Sequence, residues 1–591
     1  MALRRWPGPV SASCLRLPLT NVPCWQCSRK GASLLSQWQR QLRLQSTSTS
    51  RQPDKRVAVI GGGITGLTTA LHLASQHSTR VVLYEKSNAL GGWMQSETVD
   101  IDSGKVVFDY GPRTLMGGLP DAMATVELLI KLNMLDSTMR IGTKSPGLAN
   151  RYIYYPDHLV RLPGPGGGAS FFDTLRDMLR EPAYEGVLRS LLGEPFKESR
   201  DPKVRDESVA SFYRRRFGPG IADNLVSALS HGVYAGDTDK LSMKATMRQP
   251  WDDEFGPGVI INLMNKTLAR KPIYYKHNKI QVVRAIRREY SSEFNTRVGL
   301  MFAPGYILYL EGGMHSLITA LSRELKKLPN VEIVRNASIT HIQYDKAKQS
   351  MILSSAVNKP PARYNYVIST TPSTVLADQL RGPGGRTPPT ATSRMLAAND
   401  YAVSVMVVNL FYKNPDLIPT QGFGYLIPRS VPFEQNPERA LGVMFASHAV
   451  RGQDSAAGTK LAVMIGGHWW DGWDKSDLPD EQTGIAMAKS VVARHLGIVD
   501  EPVVAKARLQ YKAIPQYTVG HCDRMEDLHE YLCREYDSRL KVAGAWYTGV
   551  AVNDGITAGR AIATALHAGH TDETGLEDYV NPPQPAFAAI L

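Results

Sequence analysis

The feature that most constrains this fold is a glycine-rich turn between a short apolar run and a helical pattern. Residues 56–60 are mostly apolar and lead directly into Gly61-Gly62-Gly63-Ile64-Thr65-Gly66, after which apolar residues recur at helical spacing through residue 74. A second apolar run follows at residues 80–84. The pattern predicts a strand, a tight turn, a helix and a second strand that pairs in parallel with the first.

The spacing of the glycines in this turn, G-x-G-x-x-G, is typical of a dinucleotide-binding site. Gly61 permits the tight turn, Gly63 lets the backbone approach a pyrophosphate, and Gly66 lets helix and strand pack closely. The helix N-terminus offers free amides and the positive end of its dipole to the phosphates. Glu85 follows the second strand, where its carboxylate can bind both ribose hydroxyls and would repel a 2′-phosphate. These residues leave the choice between FAD and NAD open.

Positive charge is concentrated at the start of the chain. Of the formal net charge of +13, eight charges come from Lys and Arg in residues 1–53, which contain no Asp or Glu, so the rest of the chain holds +5. That balance indicates no nucleic-acid partner. A basic, Ser-rich start without acids is typical of a mitochondrial import sequence. Residues 1–54 are therefore predicted to be a disordered presequence, with a merely disordered basic tail as the alternative.

Length and composition set further limits. With 591 residues, 43% of them hydrophobic and 21% charged, the chain has the composition of a soluble fold of two or three domains. No run approaches the roughly 18 apolar residues of a membrane-spanning helix, so any membrane contact is expected at the surface. Three of the five cysteines precede residue 28, and the other two, Cys522 and Cys533, imply no disulfide framework.

Three further segments narrow the choice of nucleotide. They are Leu90-Gly91-Gly92-Trp93, Phe108-Asp109-Tyr110-Gly111-Pro112-Arg113, and the stretch from Ala543 to Gly555. Together with the glycine turn they resemble the flavin-dependent amine oxidase superfamily. Within it, four segments are most similar in sequence to the protoporphyrinogen oxidase family of mitochondrial eukaryotic type. They are Gly91–Trp93, Gly111–Arg113, Ile514–Tyr517 and Gly549–Asp554. The resemblance extends over residues 56–568.

The resemblance implies an α/β fold with a discontinuous Rossmann-like FAD-binding domain, a substrate domain on a mixed or antiparallel sheet, and a helical membrane-binding insertion. Apolar residues at helical spacing over 171–229, and alternation at 403–412, 422–427 and 461–466, agree with it. The expected boundaries are 55–145, 301–350 and 516–570 for the FAD-binding domain, 146–165 and 351–515 for the substrate domain, 166–300 for the insertion and 571–591 for a flexible tail.

The resemblance also implies one FAD per chain, bound without a covalent bond. The residues expected to contact it are Gly61, Gly62, Gly63, Ile64, Thr65, Gly66, Glu85, Lys86, Trp93, Gly111, Pro112, Arg113, Thr114, Ile339, Ala545, Val550, Ala551 and Val552. Because the family often has a cysteine where this chain has Gly555, the FAD is expected to dissociate. A helix end after residue 550 is expected to face the flavin, with Asp554 as a helix cap rather than a base.

On the substrate side, Arg151 is implied to pair with a propionate, the alternative being a surface ion pair. Gly232 is implied to lie beside the macrocycle, although a plain turn glycine would look the same. Phe423, Leu426 and Phe445 are expected to form apolar walls, with simple core packing as an equal alternative. No catalytic residue is certain, no general base is expected, and no metal site is predicted.

The implied reaction is the oxidation of protoporphyrinogen IX to protoporphyrin IX by O₂ in heme biosynthesis, through three two-electron hydride transfers that produce H₂O₂. The implied location is the inner mitochondrial membrane, on the side of the intermembrane space, with the protein lying on the surface as a homodimer in contact with ferrochelatase. The alternatives are an amine oxidase, a polyene desaturase, or a non-catalytic FAD-binding membrane scaffold.

Two basic segments have more than one interpretation. Arg214-Arg215-Arg216 is expected to form a solvated helix face, with lipid head groups as the next possibility. The stretch from Lys271 to Arg297 is interpreted either as a surface that lies on anionic lipid or as a solvated loop or strand pair.

Overall fold

The structure, a computed structural model, describes residues 55–118, 122–142, 145–163, 171–268, 273–292, 306–356, 360–385 and 387–586. The predicted presequence lies outside these ranges.

The strands, in chain order, are β1 Lys55–Ile60, β2 Thr79–Tyr84, β3 Ser96–Ile101, β4 Gly104–Asp109, β5 Leu115–Met116, β6 Thr138–Gly142, β7 Tyr152–Tyr154, β8 Leu159–Arg161, β9 Ile273–Tyr275, β10 Tyr306–Leu310, β11 Val331–Val334, β12 Ile339–Asp345, β13 Ser350–Ser355, β14 Ala362–Tyr364, β15 Tyr366–Ser369, β16 Ala402–Tyr412, β17 Gly424–Leu426, β18 Ala440–Phe445, β19 Thr459–Gly466, β20 Val504–Pro515, β21 Leu540–Val542 and β22 Gln584–Ala586.

The α-helices are α1 Ile64–Ala74, α2 Met123–Lys131, α3 Pro146–Ala149, α4 Phe171–Arg180, α5 Val187–Gly193, α6 Val209–Phe217, α7 Ser227–Tyr234, α8 Met243–Thr246, α9 Arg248–Asp253, α10 Val259–Leu268, α11 His277–Glu289, α12 His315–Leu325, α13 Ser373–Arg381, α14 Ala391–Ala398, α15 Ala446–Ala449, α16 Glu481–Leu496, α17 His521–Tyr536, α18 Val552–Ala568 and α19 Glu577–Val580. None of them, within the described ranges, combines the length and apolar character needed to cross a bilayer.

The first sheet is parallel throughout, with the strand order β11-β2-β1-β15-β21. Its strand β1 is buried on both faces, which is typical of a parallel sheet covered by helices. Ala58 and Ile60 pack into a core that includes side chains of α13 and α17. Side chains alternate along a strand, so Val57 and Val59 point to the opposite face, where α1 packs with β2 and α18. The predicted strand–turn–helix–strand unit is confirmed.

The second sheet has seven strands in the order β20-β16-β19-β18-β17-β7-β8, antiparallel except between β17 and β7. Apolar side chains of α16, including Ala488 and Val492, pack on one face of it. The other face contacts β4, because Asn409 on β16 donates a hydrogen bond from Nδ2 to the carbonyl of Asp109, at 3.1 Å. The expected mixed or antiparallel second sheet is confirmed.

The described residues 171–268 form helices α4 to α10 around a core of their own. Arg216 is completely buried there and pairs with the buried carboxylate of Glu194. Glu194 also accepts the backbone N–H of Val259 at 2.9 Å, so the pair ties α6 to the start of α10. Arg214 and Arg215 also form ion pairs, with Asp223 and Asp239 and with Glu207 and Glu254 respectively. Arg214 and Arg215 are exposed, as expected for a solvated helix face, whereas the expectation is wrong for buried Arg216.

Two expected boundaries are wrong in the middle of the chain. The substrate domain does not begin at residue 351, because β15 lies between β1 and β21 in the first sheet. The helical insertion does not extend to residue 300, because β9 pairs with β22 and α11 packs against α18 and α2. Ile280, Val283 and Ile286 of α11 are buried in that packing, so the apolar side of this basic helix is occupied by protein.

The expected flexible tail from residue 571 is also wrong for the part that is described. Thr574, Leu576 and Glu577 are buried, and Glu577 accepts backbone N–H groups of Thr574 and Gly575. Leu576 joins the core beneath the first sheet. Acidic and proline-rich composition suggested a solvated tail, but one buried leucine and a carboxylate cap anchor it.

Candidate functional site

The glycine turn has the shape that a bound pyrophosphate requires. Gly61 has a φ of +109° and donates its N–H to the carbonyl of Tyr84 at 2.8 Å, which extends the parallel pairing of β1 and β2 into the turn between β1 and α1. A Cβ on Gly66 would overlap the carbonyl oxygen of Gly61, whereas a Cβ on Gly63 would meet no atom within 4 Å. Gly66 is thus needed for packing, and Gly63 faces open space.

The N-terminus of α1 at this turn is available to an anion. Gly63 precedes the helix, no side chain caps it, and its first turn contains no acidic residue. Helix N-termini leave backbone N–H groups without intrahelical partners and carry a positive partial charge. Half-buried Ile64 and buried Thr65 form the first residues of this end. The space beside Gly63 is therefore suited to phosphate oxygens.

Glu85 is anchored to the same turn. Its Oε2 accepts the N–H of Gly62 at 2.8 Å, and its Oε1 accepts the N–H and hydroxyl of Ser87 at 2.8 and 2.7 Å. An ionised carboxylate can accept about four hydrogen bonds, so capacity remains for a ribose hydroxyl. Lys86 beside it is exposed. The side chain of Ile339 is buried in the core, so it could contact a nucleotide only through its backbone.

The segments around Trp93 and Gly111 lie against the turn. Gly91 donates its N–H to the carbonyl of Gly62 at 2.8 Å. A Cβ on Gly111 would overlap the carbonyl oxygen of Trp93, so the two motifs are in close contact, and the Trp93 side chain is 44% exposed. Half-buried Pro112 and Thr114 flank Arg113.

Arg113 connects the end of β4 to the second sheet. It donates from Nη2 to the carbonyl of Asp109 at 2.9 Å and to Oδ1 of Asn409 at 3.2 Å. Burial lowers the pKa of Arg113, and the neighbouring Asp109 opposes that shift. An arginine stays charged under such conditions. Arg113 therefore provides a fixed positive charge where β4 meets the second sheet.

The N-terminus of α18 also lies near the start of α1. A Cβ on Gly555 would lie 2.6 Å from Oγ1 of Thr65, so α18 and α1 touch near their N-terminal ends. The backbone N–H of exposed Ala551 donates to Oδ2 of Asp554 at 3.3 Å, which is the expected role of Asp554 as a helix cap. Half-buried Ala545, Val550 and Val552 border this end. Two positive helix ends therefore share one region.

Four of the five predicted substrate residues lie along one edge. The strand β17, with Leu426, pairs in parallel with β7, which directly follows Arg151. A Cβ on Gly232 in α7 would lie 2.9 Å from both terminal methyl groups of Leu426. Phe423 donates its backbone N–H to the carbonyl of Asn150 at 2.9 Å. Arg151 is exposed and makes no ion pair with any residue that the structure describes, which does not support the surface ion pair considered above.

The fifth residue, Phe445, does not belong to this edge. Its side chain is 0% exposed and packs with Tyr425 in the core beneath α16. Leu426 points to the other face, because neighbouring residues of a strand alternate. Met444, one position earlier than Phe445, points to that face instead and packs near Phe423. Phe445 is therefore core, and its assignment as a substrate wall is wrong.

A histidine pair beside Gly232 was not predicted. His231 Nδ1 is 2.7 Å from the carbonyl of Ile427, and its Nε2 is 2.9 Å from Nε2 of His468. Burial lowers the pKa of His231 to about 3 and that of His468 to about 4. Both rings are thus neutral at pH 7, with His231 donating to Ile427 and accepting from His468. No spacing signal could have revealed a pair separated by 237 residues.

A glycine turn at the carboxyl edge of a parallel sheet, facing a second sheet, is the architecture of a two-domain dinucleotide-dependent oxidoreductase. Within the described ranges no cluster of His, Cys, Asp and Glu could hold a metal ion. The family model described as flavin containing amine oxidoreductase matches residues 64–567, and the chain belongs to this family.

Individual relatives agree with this assignment. Protoporphyrinogen oxidase of Schizosaccharomyces pombe is 32% identical, over 86% of this chain and 98% of its own. The Homo sapiens protein of the same name is 30% identical, over 87% and 98%. The solved structure of a protein from Exiguobacterium sp. 255-15 covers 88% of this chain and 100% of its own with a TM-score of 0.64; at 20% identity it supports the fold alone.

The cofactor is FAD, and the residues present fit it. The open space at Gly63, the uncapped end of α1 and the spare acceptor capacity of Glu85 suit the ADP portion. Glycine at position 555 offers no thiol for a covalent bond.

Proposed function

We propose that this chain catalyses the oxidation of protoporphyrinogen IX to protoporphyrin IX by O₂, with FAD as the cofactor. The observation that carries the proposal is the similarity to protoporphyrinogen oxidases along almost their whole length, on a chain that keeps the flavin motifs. The edge formed by Arg151, Gly232, Phe423 and Leu426 supports a large apolar substrate with an acidic end.

The chain binds and orients both reactants. Backbone N–H groups at the start of α1 would hold the phosphates of FAD, and Glu85 would hold its ribose. Bound FAD supplies two-electron acceptance from a carbon–hydrogen bond and donation to O₂. The positive ends of α1 and α18, together with the charge of Arg113, favour a negative charge that develops between the domains.

On the other side of that space, Arg151 would hold a propionate through charge-assisted hydrogen bonds. Glycine at position 232 and the side chain of Leu426 would let the flat macrocycle lie close to α7. Both ring nitrogens of His231 are used in hydrogen bonds, and burial lowers the pKa of both histidines, which makes the pair a weak base; its role is structural. The substrate loses six electrons in three steps, each matched by one O₂ reduced to H₂O₂.

The test is a turnover assay with purified, detergent-solubilised protein that carries FAD. Protoporphyrin fluorescence should rise above the autoxidation rate, with about three O₂ consumed per product, one for each two-electron step. Arg151→Ala should raise KM, and Arg151→Lys should restore part of the affinity because it keeps the charge without the planar fork. A yellow protein that never exceeds autoxidation would rule out this substrate and direct the search to amines and polyenes.

We propose that the helical region α4 to α10 lies on a membrane surface. Large apolar side chains project from it: Phe196 is 89% exposed, Leu192 75% and Leu179 68%. Leu263 and Met264 of α10 are about half exposed. The same helix contacts Glu194 through the backbone N–H of Val259. Several large exposed apolar side chains on one helical region are typical of an interface with lipid or protein. Flotation with liposomes should fail for Leu192→Asp/Phe196→Asp while turnover in detergent persists.

We also propose that the protein lies on the inner mitochondrial membrane, on the side of the intermembrane space, that it forms a homodimer, and that it contacts ferrochelatase. Import of the full chain into isolated mitochondria, with protease protection after selective rupture of the outer membrane, tests the inner membrane and its intermembrane-space side. Light scattering after size exclusion tests the homodimer. Cross-linking of the two purified proteins tests the contact with ferrochelatase.

A further inference from the structure

A second cleft lies near the C-terminus, on the opposite half of α18 from the glycine turn. It has a volume of about 650 Å³ and is lined by side chains of α11, α17, α18 and α19. Clefts of roughly 300–1,000 Å³ accommodate small-molecule ligands. Nothing in the proposed oxidation of porphyrinogen uses it.

One wall of the cleft carries a cysteine with a histidine base. Cys533 Sγ lies 3.7 Å from Nε2 of His529, one helical turn earlier on α17, and accepts the hydroxyl of Ser538 at 3.3 Å. His529 Nδ1 lies 2.8 Å from Oγ1 of Thr574 and 3.9 Å from Oε1 of Glu577. The hydrogen bond between the two lowers the pKa of Cys533 and raises the pKa of His529. These contacts favour a thiolate, the reactive form of cysteine.

The same helix contains a matched control. Cys522 is also partly buried, more deeply than Cys533, yet no described side chain hydrogen-bonds its sulfur, and burial raises its pKa. The two cysteines are eleven residues apart on α17, which is roughly 16 Å at 1.5 Å per residue. A disulfide needs Cα atoms within about 7 Å, so Cys522 cannot pair with Cys533 in the folded protein.

The opposite wall of the cleft is cationic. Arg284 and Arg288 lie one turn apart on α11, are exposed, and line the cleft. Neither forms an ion pair with a residue in the part of the chain that the structure describes. Guanidinium groups bind carboxylates through paired hydrogen bonds, so an acidic ligand suits this wall, while Asp572, Glu573 and Glu577 line other parts of the cleft.

We propose that Cys533 is a redox modification site, at which peroxide oxidises the thiolate and a small thiol that carries carboxylates then forms a mixed disulfide. In the first step the sulfur attacks one peroxide oxygen, an S–O bond forms, the O–O bond breaks and hydroxide leaves. Sulfur loses two electrons and peroxide gains them. In the second step the incoming thiol forms the S–S bond, the S–O bond breaks, and water leaves. Arg284 and Arg288 hold the carboxylates of the incoming thiol.

The first experiment treats full-length protein that carries FAD with H₂O₂, traps sulfenic acid with dimedone, and quantifies the peptides of both cysteines by mass spectrometry. Cys533 should be labelled at least about tenfold faster than Cys522 because only Cys533 has a thiolate-stabilising base. His529→Gln should remove most of that difference while FAD content and turnover stay unchanged. Equal labelling of the two cysteines in the wild-type protein would overturn the proposal, whether or not the variant folds.

The second experiment tests the arginine wall with two probe thiols, glutathione and cysteamine, added after H₂O₂. Glutathione, which carries carboxylates, should form the mixed disulfide at Cys533 several times faster than cationic cysteamine, and Arg284→Gln/Arg288→Gln should abolish that preference. An unchanged preference in the double variant would refute the role of the two arginines.

Discussion

The substitution Gly63→Ala separates nucleotide binding from folding, and Gly66→Ala is its matched control. Gly63 has a φ of −76° and a ψ of −179°, which is extended backbone that alanine adopts without strain. Its added methyl group would enter the open space beside the N-terminus of α1, where the pyrophosphate of FAD is expected. At Gly66, by contrast, the methyl group would overlap the carbonyl oxygen of Gly61.

The expected magnitudes follow from these two environments. Without FAD, Gly63→Ala should change the free energy of unfolding by no more than about 0.5 kcal/mol, because nothing is displaced. Gly66→Ala should cost about 1–3 kcal/mol, because α1 must move away from the turn. If the methyl group at position 63 raises the Kd for FAD tenfold, FAD at about 100 times the wild-type Kd should stabilise the wild-type protein by about 2.7 kcal/mol and the variant by about 1.4 kcal/mol.

The assay compares deflavinated proteins in thermal unfolding with and without FAD, and measures Kd by the quenching of flavin fluorescence. Wild-type affinity in Gly63→Ala would refute the placement of the pyrophosphate beside Gly63. Marked destabilisation of that variant without FAD would show instead that the space is filled by protein.

Three further predictions concern buried groups. Glu127→Gln should lower the free energy of unfolding by about 3–5 kcal/mol, because it removes the carboxylate 3.1 Å from Nε of buried Arg560; chemical denaturation should show the double variant Glu127→Leu/Arg560→Met to be more stable than the single one. Lowering the pH from 7 to 5 should cost about 2 kcal/mol at His231, because folding depresses its pKa, so its contribution is complete above its unfolded pKa of about 6.5 and is lost as the pH falls toward 3; acid titration of His231→Gln should show a weaker dependence. Phe445→Ala should cost about 3–5 kcal/mol in urea unfolding, whereas Leu426→Ala should chiefly raise the KM for porphyrinogen, and initial rates distinguish the two.

The nucleotide-binding site could be predicted from the sequence because the residues that define it lie close together in the chain. Three residues within a stretch of 25 define it: Gly61 permits the turn, Gly66 permits close packing, and Glu85 follows the next strand. The structure places all three in the predicted positions. A short continuous apolar run likewise predicted β1, alternation predicted β16, and helical spacing predicted α1 and α6. The choice of FAD over NAD depended on the further motifs of the family.

Elsewhere the tertiary structure decided what periodicity could not. Alternation along β18 separates Phe445 from Met444, but only the packing of α16 determines which of them is buried away from the substrate edge. The strand β15 resembles any short apolar run until it is seen between β1 and β21.

The pair of His231 and His468 and the meeting of Cys533 with the arginines of α11 have the same origin. Their members are far apart in the chain. Burial and a 2.9 Å contact across packed elements lower the pKa values of the two histidines, and the cleft lined by both α11 and α17 brings the arginines onto the same cavity as Cys533. The sequence by itself determined which local shapes each segment could adopt. Only the tertiary structure determined which faces meet, because burial and electrostatic interaction depend on contacts between segments rather than on neighbours in the chain.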